Sequence, residues 1–132
     1  MLCLLIPHLH FNGRCLEAIE FYERAFNTKV EKVILSDDES NIRAQKNVSH
    51  AVMKIHGQKI FLNDRFSNES NSHGTAIHLI VMFESEDELL KSYKIISENS
   101  IIIDPLQSLS YSSLFVQFVD KFAIQWGFMI GS

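Results

Sequence analysis

HLHFNGRCLEAIEFYERAF, residues His8 to Phe26, contains a change of period that decides the reading of the whole chain. His8, Leu9, His10 and Phe11 alternate polar with apolar, as a half-buried strand does. Asn12-Gly13 is a turn signal. Beyond it Cys15, Ala18, Ile19, Tyr22, Ala25 and Phe26 recur at helical spacing, while Glu17, Glu20 and Arg24 fall on other faces. The stretch is therefore strand, turn and amphipathic helix.

Working outward, the first strand extends back to Leu2. The apolar start MLCLLIP lacks a basic n-region, a long apolar h-region and a small-residue cleavage site, so it reads as strand and not as a signal peptide. Lys29 to Leu35 is a second strand, and the polar run from Ser36 to Asn47 is a loop. Val48 to Ile55 and Lys59 to Asn63 are strands joined through His56-Gly57-Gln58, a hairpin signal. Arg65 to Gly74 is polar enough for a linker.

The order then repeats. Thr75 to Phe83 reads as a strand. Ser85 and Glu88 have capping-box spacing, and a helix follows with Leu89, Leu90, Tyr93 and Ile96 facing inward. Ile101 to Leu106, Ser113 to Val119 and Ile124 to Ile130 supply three more strands. A shift of 71 residues superposes Tyr22 on Tyr93, Glu17 on Glu88 and Ala18 on Leu89. The letters agree weakly, but the element order agrees throughout, and that order indicates a duplicated unit. The expected fold class is α+β. Two βαβββ modules, about 1–66 and 74–132 with a linker at 67–73, form an incomplete barrel with a central cleft and helices on the outer face. One helix covers one face of a four-stranded sheet, so the other face must line something.

Composition bounds the function. The 132 residues suit one domain, and a 46% hydrophobic and 21% charged chain has the makings of a core. Sixteen acids against twelve bases give −4, which speaks against a nucleic-acid partner. The apolar stretches are too short for a membrane span. The two cysteines, Cys3 and Cys15, make no C-x-x-C motif and no disulfide framework, so the expected compartment is the cytoplasm.

Four stretches carry a family likeness. They are Pro7 to Gly13 with Glu17 to Tyr22, Ile60 to Asp64, Asp104 to Gln107, and Asp120 to Trp126. Together they resemble the vicinal oxygen chelate superfamily of glyoxalase I, bleomycin-resistance proteins and extradiol dioxygenases, and within it the PhnB-like branch. The branch has glycine where this chain has Asn27 and Ala123. Asn tolerates a left-handed helix end; Ala does so poorly, so the last turn is expected to be reshaped.

The resemblance implies a metal held by His or Glu at four strand positions. Carried over, these are Ile6, Phe61, His78 and Gly127, of which only His78 can ligate. Allowing for slips in strand alignment, the first strand could offer His8, but the fourth would offer Ile60 or Leu62 and the last Trp126 or Phe128, so no register restores four ligands. The expectation is therefore no cofactor, with a divalent ion at a non-standard site including His78 as the alternative.

His8 and His10 share a face by spacing. The expected ligand-binding cleft is His8, His10, Phe61, Asn63, His78, Ile80, Met82, Tyr111 and Gln125. Trp126 has a core register, and Cys15 is inert on the helix's packing face. Asp120 makes backbone bonds in a turn. His50, His56 and His73 fall at strand ends or loops and read as surface residues. The functional expectation is a small-molecule-binding protein of the glyoxalase/bleomycin-resistance kind. A metal-dependent lyase, isomerase or dioxygenase is the alternative, and a structural or regulatory subunit is a third reading that nothing specific favours. The resemblance also implies a homodimer.

Overall fold

A computed structural model of the chain describes residues 4–36, 47–65 and 77–131. Most of the expected loop after Leu35, the expected linker, His73, Cys3 and the starts of the first and fifth expected strands lie outside the described residues. By internal contacts the chain divides into two units, Met1–Ser70 and Asn71–Ser132.

The first unit runs β1 (His8–Phe11), α1 (Cys15–Phe26), β2 (Lys32–Leu35), β3 (Val48–Ile55) and β4 (Gln58–Asp64). The second runs β5 (Leu79–Phe83), α2 (Glu86–Ile96), β6 (Ile101–Leu109), β7 (Ser112–Val119) and β8 (Gln125–Ile130). Both sheets have the same strand order, β1-β4-β3-β2 and β5-β8-β7-β6. In each, the strand before the helix lies parallel to the last strand of its unit, and the remaining neighbours are antiparallel. The βαβββ duplication inferred from element order is thus present as duplicated topology, and the fold class is α+β.

Strand alternation decides what each helix covers. In the first sheet Leu9, Phe11, Ala51, Met53, Ile55, Ile60 and Leu62 are buried, and α1 packs on β1, β3 and β4. The helix contributes the apolar positions that its spacing selects, together with Phe21. In the second sheet Val81, Phe83, Val116, Phe118, Trp126 and Phe128 are buried in the same way, with α2 against β5 and β8. Leu90, expected to face inward, is 42% exposed, and Ser92 is buried in its stead. The helix turns through about 100° per residue, so with Leu89 and Ile96 centred on the sheet, position 92 is carried inward and position 90 outward.

The first strand is shorter than expected. Residues 4–7 are in no strand, and Pro7, lacking an N–H, joins the ladder only through its carbonyl, which accepts Phe61 N–H at 2.9 Å. The β3–β4 hairpin turns through His56 (φ 49°) and Gly57 (φ 81°), the pair of left-handed residues that a two-residue hairpin loop wants. Asn27 ends α1 in the left-handed region at φ 50°. Ser85 caps α2, its hydroxyl accepting Glu88 N–H at 3.2 Å.

Ala123 also stands left-handed, at φ 72°. The final turn keeps the shape that glycine would favour, because Asp120 holds it. This buried carboxylate accepts Phe122 N–H at 2.8 Å and Ile124 N–H at 3.0 Å through Oδ1, and Trp126 Nε1–H at 2.8 Å through Oδ2. Each charge-assisted bond contributes about 1.5–3 kcal/mol, against a left-handed Ala cost of about 1–2 kcal/mol. The turn therefore persists despite its strained residue. Asp120→Ala is expected to destabilise the fold by about 3 kcal/mol or more, since it orphans three donors. Ala123→Gly is expected to stabilise it by about 1 kcal/mol. Urea denaturation of the two variants, read by Trp126 fluorescence, checks both.

Candidate functional site

The face of the first sheet away from α1 carries a set of polar rings. His8 lies opposite Phe61 and His10 opposite Asn63 across the β1–β4 ladder. Phe61 lies opposite Val52, and His50, two residues before Val52, shares its side of β3. The contacts agree with this register. His8 and His10 have ring centroids 4.4 Å apart. Phe61 is met edge-on by His50 at 4.9 Å and by His8 at 5.9 Å. His10 Nδ1 lies 2.7 Å from Asn63 Oδ1. A carbonyl oxygen only accepts, so His10 carries its proton on Nδ1, and Nε2 remains to meet a partner.

Of the expected site residues, His8, His10, Phe61 and Asn63 come together here. His50 joins them, although its place in the sequence suggests a surface residue at a strand end or loop. It is the third residue of β3 and half-buried against Phe61. The signal was present in VSHAVMKI: Ala51, Met53 and Ile55 alternate inward, which puts His50 and Lys54 on the opposite face. His56, by contrast, sits in the hairpin turn with its ring against Phe26.

On the second sheet, Ile80 lies opposite Gly127, and Gly127 opposite Gln117. His78, Ile80, Met82, Gln117, Gln125 and Gly127 therefore share the face away from α2. His78 Nε2 is 2.8 Å from Gln117 Nε2, an amide donor, so the imidazole accepts there and keeps its proton on Nδ1. Gln125 is buried, whereas Ile80 and Met82 are about half exposed. Tyr111 is at the tip of the β6–β7 hairpin and is 59% exposed, apart from the residues around His78. Its placement follows from the length of β6, which runs to Leu109 and carries the turn beyond the sheet face.

The strand register also tests the superfamily's metal positions. Phe61 and Gly127 do lie on the faces away from the helices, while Ile60, Leu62, Trp126 and Phe128 are buried on the helix sides, so the slipped alternatives on the fourth and last strands are excluded. A side chain at 127 would begin with a Cβ 2.6 Å from Ile80 Cδ1 and 3.2 Å from the His78 ring. The space in which a ligand at 127 would start is thus taken by Ile80 and His78. Ile, Phe and Gly supply no donor, and Gln117 engages His78 Nε2. These residues do not fit the superfamily's ion. Among the described residues, no group of three or more His, Cys, Asp or Glu is arranged to hold a metal.

Two groups of the first unit are electrostatically displaced. Burial, together with the nearby Asp64 carboxylate, pushes the Cys15 thiol up to about 12, so it is an inert core group. His8 is held below the ordinary histidine value, first by desolvation and then by repulsion from His10 and His50.

With this geometry in hand, the comparisons define the class. A PhnB protein of Bacillus cereus is 25% identical and superposes with a TM-score of 0.85, covering 98% of this chain and 100% of its own. A Pseudomonas aeruginosa protein is 18% identical with a TM-score of 0.84, each chain covered to 98%. A glyoxylase/bleomycin resistance protein/dioxygenase domain of Frankia is 17% identical with a TM-score of 0.69, covering 100% of this chain and 99% of its own. The fold is that of the vicinal oxygen chelate proteins, in their PhnB-like branch. Residues 4–129 match the family described as 3-demethylubiquinone-9 3-methyltransferase, and the chain belongs to that family. No curated protein matches the sequence. No helix among the described residues is long and apolar enough to cross a membrane.

The lowered His8 value has a testable sign. The unfolded chain binds a proton at His8 more readily than the folded one, so this group's contribution favours the folded state above the ordinary histidine range. That contribution diminishes as pH falls through the range. In an NMR titration, the His8 ring is expected to take up its proton at lower pH than an ordinary imidazole. His50→Gln is expected to raise the His8 midpoint, and an unchanged midpoint in that variant would show that His50 exerts no repulsion.

Proposed function

We propose that this protein binds a small molecule, as a glyoxalase/bleomycin-resistance-like protein without the superfamily metal. The helix-free sheet faces provide the binding groups. The observation that carries this reading is the nature of those faces. His10 is locked by Asn63, and His78 by Gln117, each with one ring nitrogen left to meet a polar group. Phe61 on the first face, and Ile80 and Met82 on the second, add apolar surface of the kind that a ligand's body needs. Three of the four positions that correspond to the superfamily's ligands are Ile6, Phe61 and Gly127, which offer no donor. The methyl transfer in the family's description is not carried into the proposal, because these imidazoles and amides recognise a polar group and none of them selects a methyl donor.

On the same reading the protein is a homodimer in the cytoplasm. Support for association comes from two of the four edge strands, β2 and β6, which expose Val33, Ile34 and Leu35 and Ile101, Ile102 and Ile103. Unpaired apolar edges of this kind favour a partner. Sedimentation of the purified protein is expected to give twice the chain mass, and a monomer at micromolar concentration contradicts it.

The binding reading is tested on the same material. Elemental analysis for zinc, nickel, manganese and iron is expected to give far less than one ion per chain. A thermal-shift screen of hydrophobic and aromatic compounds is expected to find ligands that stabilise by about 2–3 kcal/mol at a hundredfold excess over Kd. His10→Ala should remove that gain. A tightly held ion near one per chain would overturn the metal-free reading, and a screen without stabilising compounds would overturn binding.

A further inference from the structure

The helix-free face of the first sheet is basic, although the chain carries −4 overall. Besides His8 and His10 on β1 and His50 on β3, the ladder puts three lysines on this side. Lys32 of β2 lies opposite Val52, and Lys54 of β3 lies opposite Lys59 of β4, in the register that sets Val52 opposite Phe61. Among the described residues of these four strands the carboxylate is Asp64. It belongs to the other side, where it accepts Cys15 N–H at 3.0 Å and Val48 N–H at 2.8 Å. Glu31, just ahead of β2, meets Lys54 at 3.6 Å. Three ammonium groups against one carboxylate leave the face positive even with every imidazole neutral.

We propose that the polar end of the ligand is an oxyanion, a carboxylate or phosphonate, seated among His8, His10 and His50 with its apolar part against Phe61. This rests on the ligand-binding reading and narrows it to acidic molecules. The positive field attracts an anion and gives a neutral molecule no such gain. His10 has committed Nδ1–H to Asn63, so once protonated it offers Nε2–H as a charge-assisted donor. The close His8 and His10 rings, with His50 across Phe61, repel one another when charged. A bound anion cancels that repulsion, so binding draws protons onto the cluster and tightens as pH falls. Lys32, Lys54 and Lys59 add attraction of their own that needs no proton on the imidazoles. Phe61 offers ring surface between His8 and His50 for a flat apolar body.

The test is an NMR titration of the histidine ring resonances with benzoate, phenylphosphonate and benzamide, which share one ring and differ in charge. Benzoate or phenylphosphonate is expected to shift the His8, His10 and His50 signals and raise their midpoints. Its affinity is expected to exceed that of benzamide by about tenfold, to grow between about pH 8 and about pH 6, and to fall with added salt. Whichever acid binds more tightly identifies the oxyanion. His50→Gln, at a partly exposed position, is expected to weaken the acid several-fold and to lower its preference over benzamide. If benzamide binds as tightly as the acids at these rings, the oxyanion assignment is overturned while the ligand-binding reading stands. If none of the three disturbs these signals, both fall.

Discussion

The parallel pairing of β1 with β4, repeated as β5 with β8, is the constraint on which everything else depends. It places the strand before each helix beside the last strand of its unit, and each helix packs on that pair. Because side chains alternate, the same register that sends Leu9 and Phe11 toward α1 sends His8 and His10 the other way. A shift of one residue would bury the histidines and expose the core, at a cost of several apolar side chains of about 1.5–3 kcal/mol each. The polar face is therefore fixed by the apolar one.

That coupling explains why the duplicated modules have different faces on a common frame. Their helix sides are both aromatic and aliphatic. Their open sides differ, with imidazoles, an amide and lysines on the first, and a histidine–glutamine pair amid Ile80, Met82 and a glycine on the second. The residues that a metal would require can be lost from such a face without touching the core, since core packing does not depend on them. Asp120 and Asp64 illustrate the opposite case. Both carboxylates accept backbone N–H groups at element junctions, and their chemistry is spent on holding turns and strand ends.

Much of this was legible in the residues. The change from two-residue to helical period at Asn12-Gly13, the Ser85 cap and the recurrence of element order were enough for βαβββ twice over. Asp120 could be read as a turn residue and Trp126 as core. Other features were not legible. His50 looked peripheral because its strand was judged by its position in the chain, whereas its significance comes from lying across β4 from His8. Tyr111 looked site-directed, but the length of β6 carries its turn away from the His78 face. Leu90 is expected inward with Leu89, Tyr93 and Ile96, but the angular position of α2 places Ser92 there.

The sequence by itself determined the period of each element, the duplicated order and the shortage of donors at the superfamily's metal positions, because these depend on local spacing and on residue chemistry. The tertiary structure alone decided which side chains share a face across strands. It set His50 against Phe61, fixed which imidazole nitrogens are engaged, and gathered three lysines on one side. Those are properties of interstrand register, which hydrogen bonding between distant segments sets and which no local stretch of sequence contains.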